Sequence, residues 1–148
     1  MNTLPENELS PNRSRGCRGL APCAINRVTA YVESNIGERL SLRGLAKEAC
    51  MSNFHFARMF RVSTGDSPMN YVLGRRIARA KELLAANDNR FSRIALDLGF
   101  CDHSHFTRIF RQETGMTPKQ YVHSVQSVHS VHSVHSQPAQ DFSLHRHL

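Results

Sequence analysis

The 148-residue sequence contains no tryptophan and only three tyrosines. It has four cysteines, Cys17, Cys23, Cys50 and Cys101, and no two of them form a C-x-x-C pair. Without that spacing, neither a structural zinc site nor a dithiol redox motif is expected. Isolated thiols of this kind fit a reduced, cytoplasmic protein better than a disulfide scaffold. No apolar run approaches the ~20 residues that a membrane-spanning helix needs. The segment 1–22 lacks the apolar stretch of a secretory leader. No Ser/His/Asp arrangement and no glycine-rich phosphate loop stand out, so no catalytic residues, no cofactor and no enzyme activity are expected. Acidic residues are also scarce beside basic ones: 12 Asp+Glu against 19 Lys+Arg, a formal net charge of +7.

The base is concentrated. Residues 24–122 hold 12 Arg and 3 Lys against 9 Asp+Glu, so +6 of the +7 lies there. A basic balance points to a polyanionic partner such as nucleic acid. The preference for arginine is informative, because its planar fork matches phosphate oxygens and guanine edges.

Three zones divide the chain. Residues 1–22, rich in Asn, Ser, Pro, Gly and Arg, read as a disordered arm. Residues 24–122 alternate helical periodicity with short breaks. Residues 123–148 are a low-complexity His/Ser/Val tail, in which 123–136 repeat with period three as HSVQSVHSVHSVHS. That period matches neither a helix nor a strand, so the tail is also expected to be disordered. His123, His129, His132 and His135 invite a metal reading, but no metal site is expected.

The middle zone repeats itself. HFARMFRVSTGDSPMNYV (55–72) and HFTRIFRQETGMTPKQYV (105–122) share 10 of 18 positions at an offset of 50. Upstream, Leu45-Ala46 matches Ile94-Ala95 at an offset of 49, so the second unit has one extra residue in a turn. Periodicity and end signals predict seven helices and no strand. Helix 1 covers about 24–35, with Ile25, Val28, Val32 and Ile36 as its apolar stripe. Helix 2 (42–49) follows the N-cap Ser41, and helix 3 follows Ser52 and ends before Gly65. Helix 4 starts at Ser67-Pro68 and runs to about 87 as a connector. Helices 5 (91–98) and 6 (102–114) repeat 2 and 3, and helix 7 starts at Thr117-Pro118. The pairs 2–3 (42–64) and 5–6 (91–114) have the form of helix-turn-helix units.

In such units the second helix enters the major groove of duplex DNA. The helical wheel turns Phe56, Met59, Phe60 and Ser63 of helix 3 inward, and Phe106, Ile109 and Phe110 of helix 6. It leaves Asn53, Phe54, Ala57 and Arg58, and His103, Ser104, Thr107 and Arg108, as candidate base readers. Ser41, Ser52, Arg61, Arg111 and Lys119 are candidate phosphate contacts. Phe54, an aromatic on the polar face, has two readings: cover by a neighbouring helix, or groove contact. His55 and His105 read as half-buried core residues. Of Arg75, Arg76 and Arg79 on the connector, one is expected to partner an acid.

YVESNIGERLSLRGLAKEACMSNFHFARMFRVSTGDSPMNYVLGRRIARAKELL resembles the first half of an AraC/XylS-type DNA-binding domain, and IALDLGFCDHSHFTRIFRQETGMTPKQYV resembles its second half. The elements carrying the second match are Ile94-Ala95, Gly99-Phe100, Ser104, Phe106, Arg108, Phe110, Gly115, Pro118 and Tyr121. The resemblance implies a bacterial transcription factor with an all-α, seven-helix fold. It implies binding in two adjacent major grooves about one helical turn apart, and activation through RNA polymerase. It assigns base reading to Phe54, Ala57 and Arg58, and to His103, Ser104, Thr107 and Arg108. The likeness to stand-alone members implies a monomer on DNA. Two features depart from the pattern: Cys50 stands where the second unit has Gly99, and Ala57 is small for a reader. Two rival readings are a DNA-alkylation repair protein using Cys17 or Cys23 as methyl acceptor, and a metal-buffering protein working through the histidine tail.

Overall fold

The computed structural model describes residues 19–86 and 90–132. Among them lie seven helices and no strand: α1 (Pro22–Ser34), α2 (Leu42–Glu48), α3 (Asn53–Thr64), α4 (Pro68–Ala85), α5 (Phe91–Asp97), α6 (His103–Thr114) and α7 (Pro118–His132). The chain forms two compact units that divide within α4, between Arg75 and Arg76.

The first unit closes around Val28 and Val32 of α1, Leu45 and Ala46 of α2, Phe56 and Phe60 of α3, and Val72 of α4, all buried. Phe60 lies between Phe56 and Tyr71, with ring centroids 5.4 Å away on each side. The second unit repeats the arrangement. Phe110 lies between Phe106 and Tyr121 at 5.6 Å on each side, and Ile94, Ala95 and Leu98 are buried. The sequence repeat is therefore a repeat of packing. Tilted and edge-on ring pairs of this kind add to the burial of the rings themselves.

The helix ends follow the same rule of two. Ser52 accepts from the backbone N–H of His55 (3.4 Å), and Asp102 accepts from that of His105 (2.7 Å), each capping the second helix of its unit. Gly65 and Gly115 close those helices in left-handed conformation, with φ of 86° and 79°. Thr117 and Gln120 exchange reciprocal bonds, a capping box at the start of α7.

The turns inside the units are Schellman motifs. In the first, Cys50 N–H bonds Lys47 C=O and Met51 N–H bonds Ala46 C=O, both 3.0 Å. In the second, Gly99 bonds Leu96 (3.0 Å) and Phe100 bonds Ala95 (2.9 Å). This motif needs a left-handed residue at its pivot. Gly99 supplies it at φ 72°, and Cys50 is forced to φ 55°, alone among the described non-glycine residues. A side chain there costs ~1–2 kcal/mol, part of which glycine's looser unfolded chain offsets. Cys50→Gly is expected to stabilise the protein by about 0.5–1 kcal/mol, read as a higher urea midpoint at unchanged slope.

The residue added to the second turn is Cys101. Its N–H donates to Nδ1 of His105 (3.4 Å), whose ring stands edge-on to Phe100 at 5.6 Å. His105 is thereby half-buried, as expected. His55 is exposed, which corrects the reading for that residue. The first turn has no added N–H, and Met51 stands in place of Phe100.

Two zone boundaries also change. Residues 19–22, expected to belong to a disordered arm over 1–22, are part of the folded unit. Leu20 is buried, its N–H donates to Ser63 Oγ (2.7 Å), and Pro22 opens α1. Gly19 permits this approach, since a Cβ there would lie 2.2 Å from Ser63 Oγ. Residues 1–18 lie outside the described residues. The tail drawn from 123 begins as helix, because α7 runs on to His132. A three-residue spacing slips only about 60° per step from helical register, so Val122 and Val125 still share a face. Val122 is buried and Val125 half-buried. Ser124 and Ser127 donate their hydroxyls to the carbonyls of Tyr121 and His123. The rest of the tail, 133–148, lies outside the described residues, as does position 87 at the expected end of the connector.

Candidate nucleic-acid interface

Helix α3 keeps Phe56 and Phe60 inside, which dictates what it shows outside. Asn53, Phe54 and Arg58 are exposed, Ala57 is half-buried and Arg61 is exposed in the last turn. Helix α6 repeats the pattern: His103, Ser104 and Arg108 are exposed, Thr107 is half-buried and Arg111 is exposed. The offset of 50 pairs these positions one for one. All eight expected base readers therefore lie on the outer faces of the two second helices.

On α6 the expected residues come together. His103, Ser104, Thr107, Arg108 and Arg111 line one open concave surface with Thr117, which sequence reasoning did not assign. Its position two residues beyond the helix-ending Gly115 is the signal that could have found it. Thr107 Oγ1 lies 3.5 Å from His103 Nε2. A second recess beside it is lined by Arg90, Phe91, Ser92, Arg93 and His103, and adds basic residues at α5 that were also missed. Lys119 lies elsewhere, with Phe91, Val122, His123 and Gln126, and does not line the surface that holds Arg108. Ser41 and Ser52 are exposed, and their oxygens are engaged in capping Gly44 and His55. Each cap uses the hydroxyl as acceptor, leaving the O–H proton as the group that could meet a phosphate.

Phe54 is 82% exposed, the most exposed of the large apolar side chains among the described residues. Cover by a neighbouring helix is excluded within its unit.

The arginines separate by role. Arg75 pairs with Glu33, Arg79 with Glu82, and Arg93 with Asp97. Two of the three connector arginines thus partner acids, where one was expected. The third, Arg76, is buried. Its guanidinium donates to Gly99 C=O (2.8 Å) and lies over the Phe100 ring at 5.8 Å. Burial pulls its pKa below the ordinary arginine value, and the nearby Cys101 thiol opposes that shift. Arg76 therefore fixes the turn that leads into α6. Arg58, Arg61, Arg108 and Arg111 differ from these: all four are exposed, and none has an ion-pair partner among the described residues. Unpaired arginines in matching places on the second helices are what an interface for a polyanion requires.

Two helix-turn-helix units in one chain, each showing arginine on its second helix, define a DNA-binding domain of the double helix-turn-helix class. The sequence pattern of the family described as helix-turn-helix domain matches residues 45–124. The chain belongs to this family, in its AraC/XylS type. It is 35% identical over 82 residues to the XylDLEGF operon transcriptional activator 2 of Pseudomonas putida, covering 53% of this chain and 52% of that protein. It is 31% identical over 78 residues to the MmsAB operon regulatory protein of Pseudomonas aeruginosa, covering 53% of this chain and 25% of that one. The chain thus spans about half or less of these relatives. Among solved structures, the DNA-binding domain of AdpA in complex with a target DNA is similar with a TM-score of 0.68 and 26% identity, covering 72% of this chain and 96% of that one. An AraC-type regulator from Chromobacterium violaceum is similar with a TM-score of 0.65 and 27% identity, covering 70% and 92%. No helix among the described residues is long and apolar enough to cross a membrane.

Proposed function

We propose that the protein is a sequence-specific transcriptional regulator, an activator, that binds duplex DNA by placing α3 and α6 in two adjacent major grooves. One observation carries this reading: Arg58 and Arg61 are matched by Arg108 and Arg111, all exposed and unpaired among the described residues. The relatives add to it, since the Pseudomonas putida protein is named an operon activator and the AdpA domain was solved on a target DNA. In this reading the protein works in the cytoplasm as a monomer on DNA, contacts RNA polymerase and carries out no catalysis.

Selection from a random duplex library, followed by affinity against salt, tests the proposal. Two enriched half-motifs about ten base pairs apart are expected, with log affinity falling steeply against log salt. A steep salt dependence with no enriched sequence would reduce the protein to a non-specific DNA binder and overturn the proposal.

A further inference from the structure

The two reading helices are alike in frame and unlike in chemistry. Positions 54, 57 and 58 of α3 carry Phe, Ala and Arg, and the matching positions 104, 107 and 108 of α6 carry Ser, Thr and Arg. The arginine is common to both. The two positions before it are apolar in the first unit and hydroxylated in the second. Phe54 is the second residue of α3, in the half of the helix from which base contacts are made. Ala57 follows at i+3, on the same face. A phenyl ring 82% exposed to water has no role in the core, and Phe56 and Phe60 already fill that side of the helix.

The major-groove edge offers one apolar group among its hydrogen-bonding atoms, the C5-methyl of thymine. We infer that Phe54 and Ala57 form a thymine-methyl reader, so that the first unit selects thymine beside the guanine taken by Arg58. The second unit presents hydroxyls at Ser104 and Thr107 instead, with the Thr107 methyl as the apolar group it can bring to a thymine. This rests on the proposal that α3 enters a major groove. Charge supports DNA as the occupant of the apolar face: Arg58 and Arg61 rise from the same exposed side, and neither has an acidic partner among the described residues. A protein partner docking on Phe54 would have to bring acids to both.

Deoxyuridine gives the test, because it removes the methyl and leaves the pairing edge of thymine intact. The selected operator is made with deoxyuridine for thymine in one half-site at a time. The half-site belonging to α3 is identified as the one whose base choice Arg58→Ala relaxes. Wild-type protein is expected to lose affinity for the α3 half-site by about fourfold per contacted methyl removed. Phe54→Ala should bind the thymine and uracil operators with ratios near one at that half-site, and Phe54→Leu should keep part of the discrimination. The response of the α6 half-site to deoxyuridine should be the same in all three proteins. Helical circular dichroism confirms that the variants are folded, as the exposure of Phe54 leads one to expect. Equal wild-type affinity for the thymine and uracil α3 half-sites overturns the inference. So does a uracil penalty undiminished in Phe54→Ala. Either outcome leaves the regulator reading standing, whereas failure to select any operator strikes that reading itself.

Discussion

Phe110→Ala is expected to destabilise the second unit by ~3–5 kcal/mol, the range for truncating a fully buried aromatic. Phe110 has no exposed surface, and its ring meets both Phe106 and Tyr121. The cavity left would separate α6 from α7 at the point where the three rings meet. A loss of this size is a large share of the ~5–15 kcal/mol that holds a domain together. Urea unfolding followed by helical circular dichroism measures it, the protein having no tryptophan to report by fluorescence. Selection with the variant should lose the α6 half-motif and keep the α3 half-motif, because Phe110 belongs to the second unit only. The mirror substitution, Phe60→Ala, should do the reverse. A loss under ~1 kcal/mol would mean that the ring stack is not what holds α6 in place.

The ring stack was legible in the sequence because it repeats. Phe56, Phe60 and Tyr71 recur at 106, 110 and 121, and a repeat with a 3.6-residue rhythm specifies both element and inner face. The pivot of each turn was legible for the same reason: Gly99 marked what Cys50 had to do, and the structure puts Cys50 at φ 55°. Where the copies diverge, pattern reading weakened. His55 and His105 are identical letters, yet one added residue, Cys101, gives His105 a backbone partner that His55 lacks. The start of the tail is not legible from its period, because a three-residue repeat over fourteen residues fits no regular element, whereas helix α7 needs only Val122 and Val125 to stay on one face. Arg90 and Arg93 escape pattern reading because they share a recess with His103 only through packing between separate elements. The outward positions on α3 and α6 were legible because the inner face, once fixed by the phenylalanines, leaves only one set of positions to face out.

Arg58→Ala and Arg108→Ala are each expected to cost ~1–3 kcal/mol on the selected operator and to relax base choice at one position. Both residues lie in the second turn of their helices, past the capped first turn. Each guanidinium is exposed and unpaired among the described residues, so its fork is available for O6 and N7 of guanine. Arg61 and Arg111 sit three residues further on, in the last turn of each helix. At that end of a groove-bound helix the strand backbone is the nearer target. Arg61→Ala and Arg111→Ala should therefore weaken all duplexes alike and reduce the salt slope by about 0.9 for each phosphate no longer neutralised. Lysine separates charge from geometry. Arg58→Lys and Arg108→Lys keep the charge and lose the fork, so they should fall near the alanine variants in specificity and near wild type in salt slope. Arg61→Lys and Arg111→Lys should stay near wild type in both. If all four alanine variants instead lose affinity equally on operator and random duplex, Arg58 and Arg108 hold phosphate only, and base reading passes to Phe54, Ser104 and Thr107.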